Sequence, residues 1–272
     1  MALTLTHSGQ QPGTPAAPTH RASTHRSSTH RRVTLFAAML LAALSLSGCQ
    51  GISINSAQLR VIDASPDAGV IDSYQNSSAL AYNLAFGTMT TYIPMAPGPY
   101  TLAAEKAGTR QTLVTGNETL AAGKQYTQII GAGLANLHQT ILLDQSTPAP
   151  AGQVALRVVN ETTRAGAVDV YLVPMTEGSS KAMSASPLAF GLPASANTGY
   201  ITMPEGTYAI DVVAAGTPLT SSTVTLLSGP QLEYASGAVR TIVLIDQETS
   251  AAPHATTTPG VQAIQGDDAD AQ

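Results

Sequence analysis

An all-β protein made of two tandem copies of one sandwich unit is what this sequence predicts, and three observations carry that expectation. First, the chain repeats itself: LRVIDASPDAGVIDSY (Leu59 to Tyr74) matches LRVVNETTRAGAVDVY (Leu156 to Tyr171) without a gap. YIPMAPGPYTL (Tyr92 to Leu102) is answered by YITMPEGTYAI (Tyr200 to Ile210), and Leu84-Ala85-Phe86-Gly87 by Leu188-Ala189-Phe190-Gly191. Such self-similarity at a fixed spacing marks a duplicated structural unit. Second, apolar residues alternate with a period of two, as in Tyr100-Thr101-Leu102 and Tyr208-Ala209-Ile210, the pattern of half-buried strands. Third, no long stretch has helical periodicity.

The first unit offers about seven candidate strands, near 58–63, 70–76, 88–95, 100–107, 110–116, 126–131 and 139–144. Seven short strands in a unit of about 90 residues suggest an immunoglobulin-like sandwich. Pro97-Gly98 and Glu205-Gly206 read as turns feeding the next strand, because glycine relieves the steric limit on φ. Leu120, Gly123 and Tyr126 have the spacing of a tyrosine corner. Each unit is expected to close on an apolar run ending in Asp-Gln, ILLDQ at 141–145 and VLIDQ at 243–247. The units therefore span 58–145 and 154–247, joined by a Pro-rich linker at 146–153. Residues 248–272, rich in Ala, Thr, Gly, Pro and Asp, read as a disordered acidic tail.

Ahead of the units lies a different kind of sequence. The first 32 residues contain Arg21, Arg26, Arg31 and Arg32 and no acidic group, and Val33 to Leu46 is almost wholly apolar. A basic stretch followed by a short greasy run is a secretory signal, here 1–48. At fourteen residues the run falls short of the roughly 20 needed to span a bilayer. It ends at Leu46-Ser47-Gly48-Cys49, which resembles the bacterial lipoprotein signal, and Cys49 is the only cysteine in 272 residues. The resemblance implies cleavage before Cys49, a diacylglycerol on its thiol and an acyl chain such as palmitate on its amino group. Two or three chains hold a protein firmly where one does not. Gln50 after the cysteine, rather than an aspartate, favours the outer membrane or cell surface over the inner membrane. Residues 49–57 are left as a spacer.

From Cys49 onward all 17 acidic residues remain but only eight of the 12 Lys and Arg, a net charge of about −9. An acidic exported chain without a basic stripe excludes nucleic acid as a partner. One cysteine excludes an internal disulfide, so stability must come from an aliphatic core with tyrosines, since there is no tryptophan.

LRVIDASPDAGVIDSY, the Pro-Gly turn before Tyr100, Gly123-x-x-Tyr126-Thr127 and Leu142-Leu143-Asp144 together resemble the domain-of-unknown-function family 4397, here in two tandem copies. The second unit keeps Arg157-Val158-Val159 and Asp169-Val170-Tyr171 but has Thr162-Thr163-Arg164-Ala165 in place of Ser-Pro-Asp-Ala. Family members usually carry a histidine where Asp63 stands. The resemblance implies a β-sandwich in an exported or surface-attached bacterial protein, and it implies no activity, cofactor or binding residue.

Candidate chemistry is sparse. Asp63, Asp67 and Asp72 put three carboxylates in ten residues, which suits either a calcium loop or a turn capped through side-chain bonds to backbone amides. Arg60 with Asp72, and Arg157 with Asp169, recur at the same spacing in both units and read as cross-strand ion pairs or a sugar-binding pair. Asp144 and Asp246 read as turn formers. Only His138 and His254 follow the leader, with no Gly-x-Ser-x-Gly elbow and no zinc ligand set, so neither a serine hydrolase nor a zinc enzyme is indicated. The sequence thus predicts a non-catalytic, lipid-anchored structural or adhesion-type module. Its expected partners are the membrane and glycans or other envelope proteins. The rival is a carbohydrate-binding or weakly hydrolytic lipoprotein; exposed, coplanar tyrosines on one sheet would favour the former and paired buried carboxylates in a cleft the latter.

Overall fold

The computed structural model describes residues 55–174, 187–247 and 260–269, and both sandwiches lie in one compact unit. Among these residues the fold is all-β, with four sheets of four strands. The first sandwich contains β1 (Ala57–Asp63), β2 (Ile71–Gln75), β3 (Ser78–Leu84), β4 (Ile93–Met95), β5 (Gly98–Lys106), β6 (Thr112–Leu120), β7 (Gln125–Gly131) and β8 (His138–Leu143). The second contains β9 (Gln153–Asn160), β10 (Val168–Pro174), β11 (Ala189–Leu192), β12 (Ala196–Pro204), β13 (Gly206–Ala214), β14 (Leu227–Tyr234), β15 (Val239–Asp246) and β16 (Val261–Ala269). The sheet orders are β4-β1-β7-β8 and β3-β2-β5-β6 in the first, and β12-β9-β15-β16 and β11-β10-β13-β14 in the second. Strand for strand, the second sandwich repeats the first.

In the immunoglobulin order the first two strands are neighbours in one sheet. Here β1 and β2 lie in opposite sheets, and β1 pairs in parallel with β7, as β9 does with β15. Eight strands rather than seven complete each sandwich. The strand missing from the sequence reading is β3, an edge strand whose exposed residues lack clean alternation. The tyrosine corner is present in the first sandwich: the Ala121 amide donates to the Tyr126 hydroxyl at 3.0 Å.

Strands β1, β7, β9 and β15 are buried on both faces, because the β1–β7 sheet packs against the β9–β15 sheet. Leu59 and Val61 point into the first core, while Ile62 and Ala64 join Ile129, Val159, Val243 and Ile245 in a layer between the sandwiches. Parity along β9 is the same: Leu156 and Val158 face the second core and Val159 the shared layer. A strand covered on both sides reads as a near-continuous apolar run, which is why LRVI and LRVV are the best-matched stretch. The linker is docked as well, with the Ala149 amide on Gly237 O at 2.9 Å.

Three sequence expectations need correction. Residues 261–269, read as part of a disordered tail, form β16 along the free edge of β15. The apolar content of VQAIQGDDA is too low to mark a strand, and it is the unpaired backbone of the β15 edge that orders it. Consequently VLIDQ does not close the second unit. Val243 to Asp246 lie in β15, the counterpart of β7, as the pairing of Arg60 with Thr127 and of Arg157 with Thr241 shows. Finally, Leu84 corresponds to Leu192 rather than Leu188, since they pair with Ile71 and Val168 at the same register.

Candidate functional site

Arg60 and Arg157 sit mid-strand at 2% and 3% exposure, facing the layer between the sandwiches. An ion there persists only if its hydrogen-bonding capacity is met. Each guanidinium is met in the same way. Arg60 Nε donates to Thr127 Oγ1 at 2.8 Å, its Nη1 donates to Asp267 O at 3.2 Å, and its Nη2 pairs with Asp268. Arg157 Nε donates to Thr241 Oγ1 at 3.1 Å, its Nη1 donates to Leu143 O at 3.0 Å, and its Nη2 pairs with Asp144. Each arginine also lies over a tyrosine ring, Arg60 on Tyr92 at 4.8 Å and Arg157 on Tyr200 at 4.7 Å.

The aspartates complete the set. Asp144 Oδ2 accepts from Thr127 at 2.6 Å and from the Tyr92 hydroxyl at 2.7 Å. Asp268 Oδ2 accepts from Thr241 at 2.6 Å and from the Tyr200 hydroxyl at 2.7 Å. Every carboxylate is thus held by a threonine and a tyrosine of its own sandwich and by the arginine of the other. Burial pushes both tyrosine hydroxyls well above their usual range, with the adjacent arginines pulling the other way, so they stay protonated and donate to the carboxylates; the Tyr200 hydroxyl also accepts from the Gln145 amide at 3.2 Å. With its hydrogen-bonding capacity filled, this network fastens the two domains together.

The expected pairs Arg60–Asp72 and Arg157–Asp169 do not form. β1 and β2 belong to opposite sheets, and the arginines face away from their own sandwich. Asp72 instead accepts from the amides of Asn83 at 2.8 Å and Gly108 at 3.2 Å. Asp169 accepts from Gly191 at 2.6 Å and Gly216 at 2.8 Å. Asn83 (φ 54°) and Gly191 (φ 61°) are both left-handed, so each aspartate pins a special backbone turn and the neighbouring hairpin together.

Nor are Asp63, Asp67 and Asp72 assembled around a cation. Asp63 Oδ1 accepts from the Ser65 amide at 3.0 Å, the turn alternative, while Asp67 Oδ1 accepts from the Leu134 amide at 2.6 Å across to another loop. No cluster of three His, Cys, Asp or Glu able to hold a metal occurs among the described residues. Burial raises Asp63 to about 7, against a lowering by the Ser65 amide. Its counterpart Asn160 uses its amide nitrogen on Gly166 O at 2.9 Å and Leu192 O at 3.0 Å. Asp246 does not form a turn of its own but fixes the turn after β9, accepting from the Thr163 and Arg164 amides, whereas Asp144 belongs to the interface. His138 lies 3.3 Å from the buried carboxylate of Glu161 across the two sandwiches. Cys49 and His254 lie outside the described residues.

Sequence reasoning missed Thr127, Thr241, Tyr92, Tyr200 and Asp268. The two tyrosines were legible in the repeat alignment, each opening the matched YI segment. Pairing Thr127 with Thr241 required the correct β7–β15 equivalence, and Asp268 was hidden in the supposed tail.

Among the clefts on the described surface are two of similar size. One, of about 480 Å³, is lined by Pro66, Asp67 and Phe86 of the first sandwich and Thr163, Arg164 and Gln247 of the second. The other, of about 470 Å³, lies on the outer sheet of the first sandwich between Asp72, Tyr74, Tyr82, Asn83, Thr109 and Arg110. Tyr74 and Tyr82 meet edge to face at 6.2 Å, and Arg110 lies over the Tyr74 ring at 4.8 Å. No helix among the described residues is long and apolar enough to cross a membrane.

No curated protein matches the chain. Among solved structures, a leucine-rich repeat protein from Bacteroides thetaiotaomicron VPI-5482 is similar at 13% identity and a TM-score of 0.18, over 69% of this chain. The chain spans 25% of that structure's length. Residues 57–171 match the family described as domain of unknown function DUF4397, a single copy that covers the first sandwich and runs through β9 into β10.

Proposed function

We propose that this chain is a non-catalytic, lipid-anchored module of the bacterial cell envelope, attached through acylated Cys49 and projecting its paired sandwiches as a binding or structural element. The observation that carries the reading is the reciprocal Arg–Asp network. Four buried ionic side chains are spent on joining two domains, and such a joint makes a stiff body of use to a surface module. Of the carboxylates the sequence singled out, Asp63, Asp67, Asp72, Asp169 and Asp246 accept from backbone amides and Asp144 belongs to this joint. The leader and the lone cysteine supply the attachment.

Replacing Cys49 with Ala and fractionating cells fed an alkyne-tagged palmitate tests the anchor. The parent chain is expected in the membrane fraction carrying label, and the variant unlabelled and released. A variant that stays membrane-bound to the same extent shows the anchor to be elsewhere.

A further inference from the structure

The geometry points to a binding site for a neutral pyranose in the cleft on the outer sheet of the first sandwich, with Tyr82 as the stacking platform and Asn83 and Arg110 as hydrogen-bonding groups. The inference rests on the module reading above only in treating the chain as a binder rather than an enzyme.

The first support is an aromatic ring that the fold does not need. Tyr82 is 64% exposed, and its counterpart one residue before the left-handed turn of the second sandwich, Phe190, is 75% exposed. Both lie on edge strands, where an exposed ring invites aggregation and adds nothing to a core. A duplicated fold that keeps a solvent-facing ring at the same register position in both halves is presenting it.

The second support is preorganisation. Tyr74 is buried in β2, Arg110 covers its ring, and Tyr82 stands edge to face against it. The turn that follows Tyr82 is fixed by the buried Asp72 carboxylate, which also holds Gly108 on the opposite wall. Both walls of the cleft are therefore tied to one side chain. A rigid ring beside fixed polar groups avoids the ordering cost that weakens adaptable sites. The volume of about 470 Å³ lies within the usual range of small-ligand pockets, roughly 300–1,000 Å³.

The third support is charge. The Arg110 guanidinium is balanced by Glu105, 3.5 Å away, and both oxygens of Asp72 are engaged by backbone amides. The cleft thus carries no uncompensated charge to select an anion. What it presents is an apolar ring face, the Arg110 N–H groups not directed at Glu105, and the Asn83 side-chain amide, which makes no hydrogen bond among the described residues. A pyranose has the matching surfaces: C–H groups on one face for the ring, and hydroxyls around its rim for the arginine and the amide.

The chain has no tryptophan to mask its nine tyrosines, so a ligand-induced change in tyrosine emission is visible, and its loss in Tyr82→Ala assigns it to the cleft. The full chain, in a detergent without a sugar headgroup, is titrated with gluco-, galacto- and manno-configured monosaccharides and their tetramers, read by tyrosine emission and calorimetry. At least one neutral sugar is expected to bind saturably. Tyr82→Ala should weaken it by about tenfold or more, Tyr82→Phe should keep it within about threefold, and Phe190→Ala should leave it unchanged. Because Tyr82 is exposed and loses only its edge contact with Tyr74, the alanine variant should still unfold cooperatively with only a small shift in urea midpoint, which separates lost binding from lost folding. A tetramer bound well above its monosaccharide marks a glycan chain as the ligand, and equal affinities mark a single terminal or free sugar. Absence of saturable binding by every neutral sugar, or binding that survives Tyr82→Ala, overturns the site. Binding confined to acidic oligosaccharides, and lost in Arg110→Ala, overturns the neutral ligand. None of these results bears on the Cys49 fractionation, so the two ideas fail separately.

Discussion

Arg60 in β1 reaches Asp268 in β16, 208 residues further along the chain, while Arg157 in β9 returns the contact to Asp144 just past β8. The two close ion pairs are exchanged between the sandwiches, and within the first sandwich Arg60 reaches Asp144 only at 3.9 Å. A buried pair adds little net stability over an apolar pair, yet stranding one member is costly.

Arg60→Ala or Arg157→Ala alone should each destabilise the fold by about 3–5 kcal/mol, because a buried carboxylate loses its partner. The double change Arg60→Met with Asp268→Leu should cost less than either partner removed alone. Urea unfolding of the parent, Arg60→Met, Asp268→Leu and the double variant gives the coupling; simple additivity would mean that the pair is not a unit.

A chain ending at Gln247 should be markedly less stable than the full chain, and the expected loss is no smaller than that of removing Arg60's partner, about 3 kcal/mol. It lacks β16 and Asp268, which exposes the β15 edge and strands Arg60. If residues 248–272 were a passive tail, the urea midpoint would not move.

Asp63 links stability to pH. Its folded value of about 7 lies above its ordinary value of 3.8, so between those limits the folded state holds a proton that the unfolded state has released. Stability from this group is full below about pH 4 and is lost as pH rises to about 7. Asp63→Asn, imitating Asn160, should flatten the urea midpoint across that window and be more stable than the parent at pH 8. A parent profile already flat from pH 4 to 7 would refute the assignment.

Tyr126→Phe should cost about 1 kcal/mol, since it removes the part-buried hydrogen bond by which a buried tyrosine holds the exposed Ala121 amide. Tyr100→Phe, which removes an exposed hydroxyl bonded to Ala96 O, should stay within about 0.5 kcal/mol. Equal losses in thermal unfolding would deny the corner a special role.

Local pattern made much of this legible. Alternation located β5 and β13, and the matched LRV segments marked strands covered on both faces. The site was less readable. The spacing of Arg60 to Asp72 recurs faithfully in both units, but recurrence reports equivalence of position and does not name the partner. Asp72 and Asp169 recur because each pins a left-handed turn, and Arg60 and Arg157 recur because each crosses to the other sandwich.

By itself the sequence determined the all-β class, the duplication and the residues that must be buried, because period-two alternation and the matched repeats are written in neighbouring positions. Tertiary structure alone decided which sheet each strand joins, that 261–269 is a strand, and which aspartate answers which arginine. Those choices depend on which backbone edges and buried charges remain unsatisfied once the sheets have packed, and they pair residues too far apart in the chain for any local pattern to record.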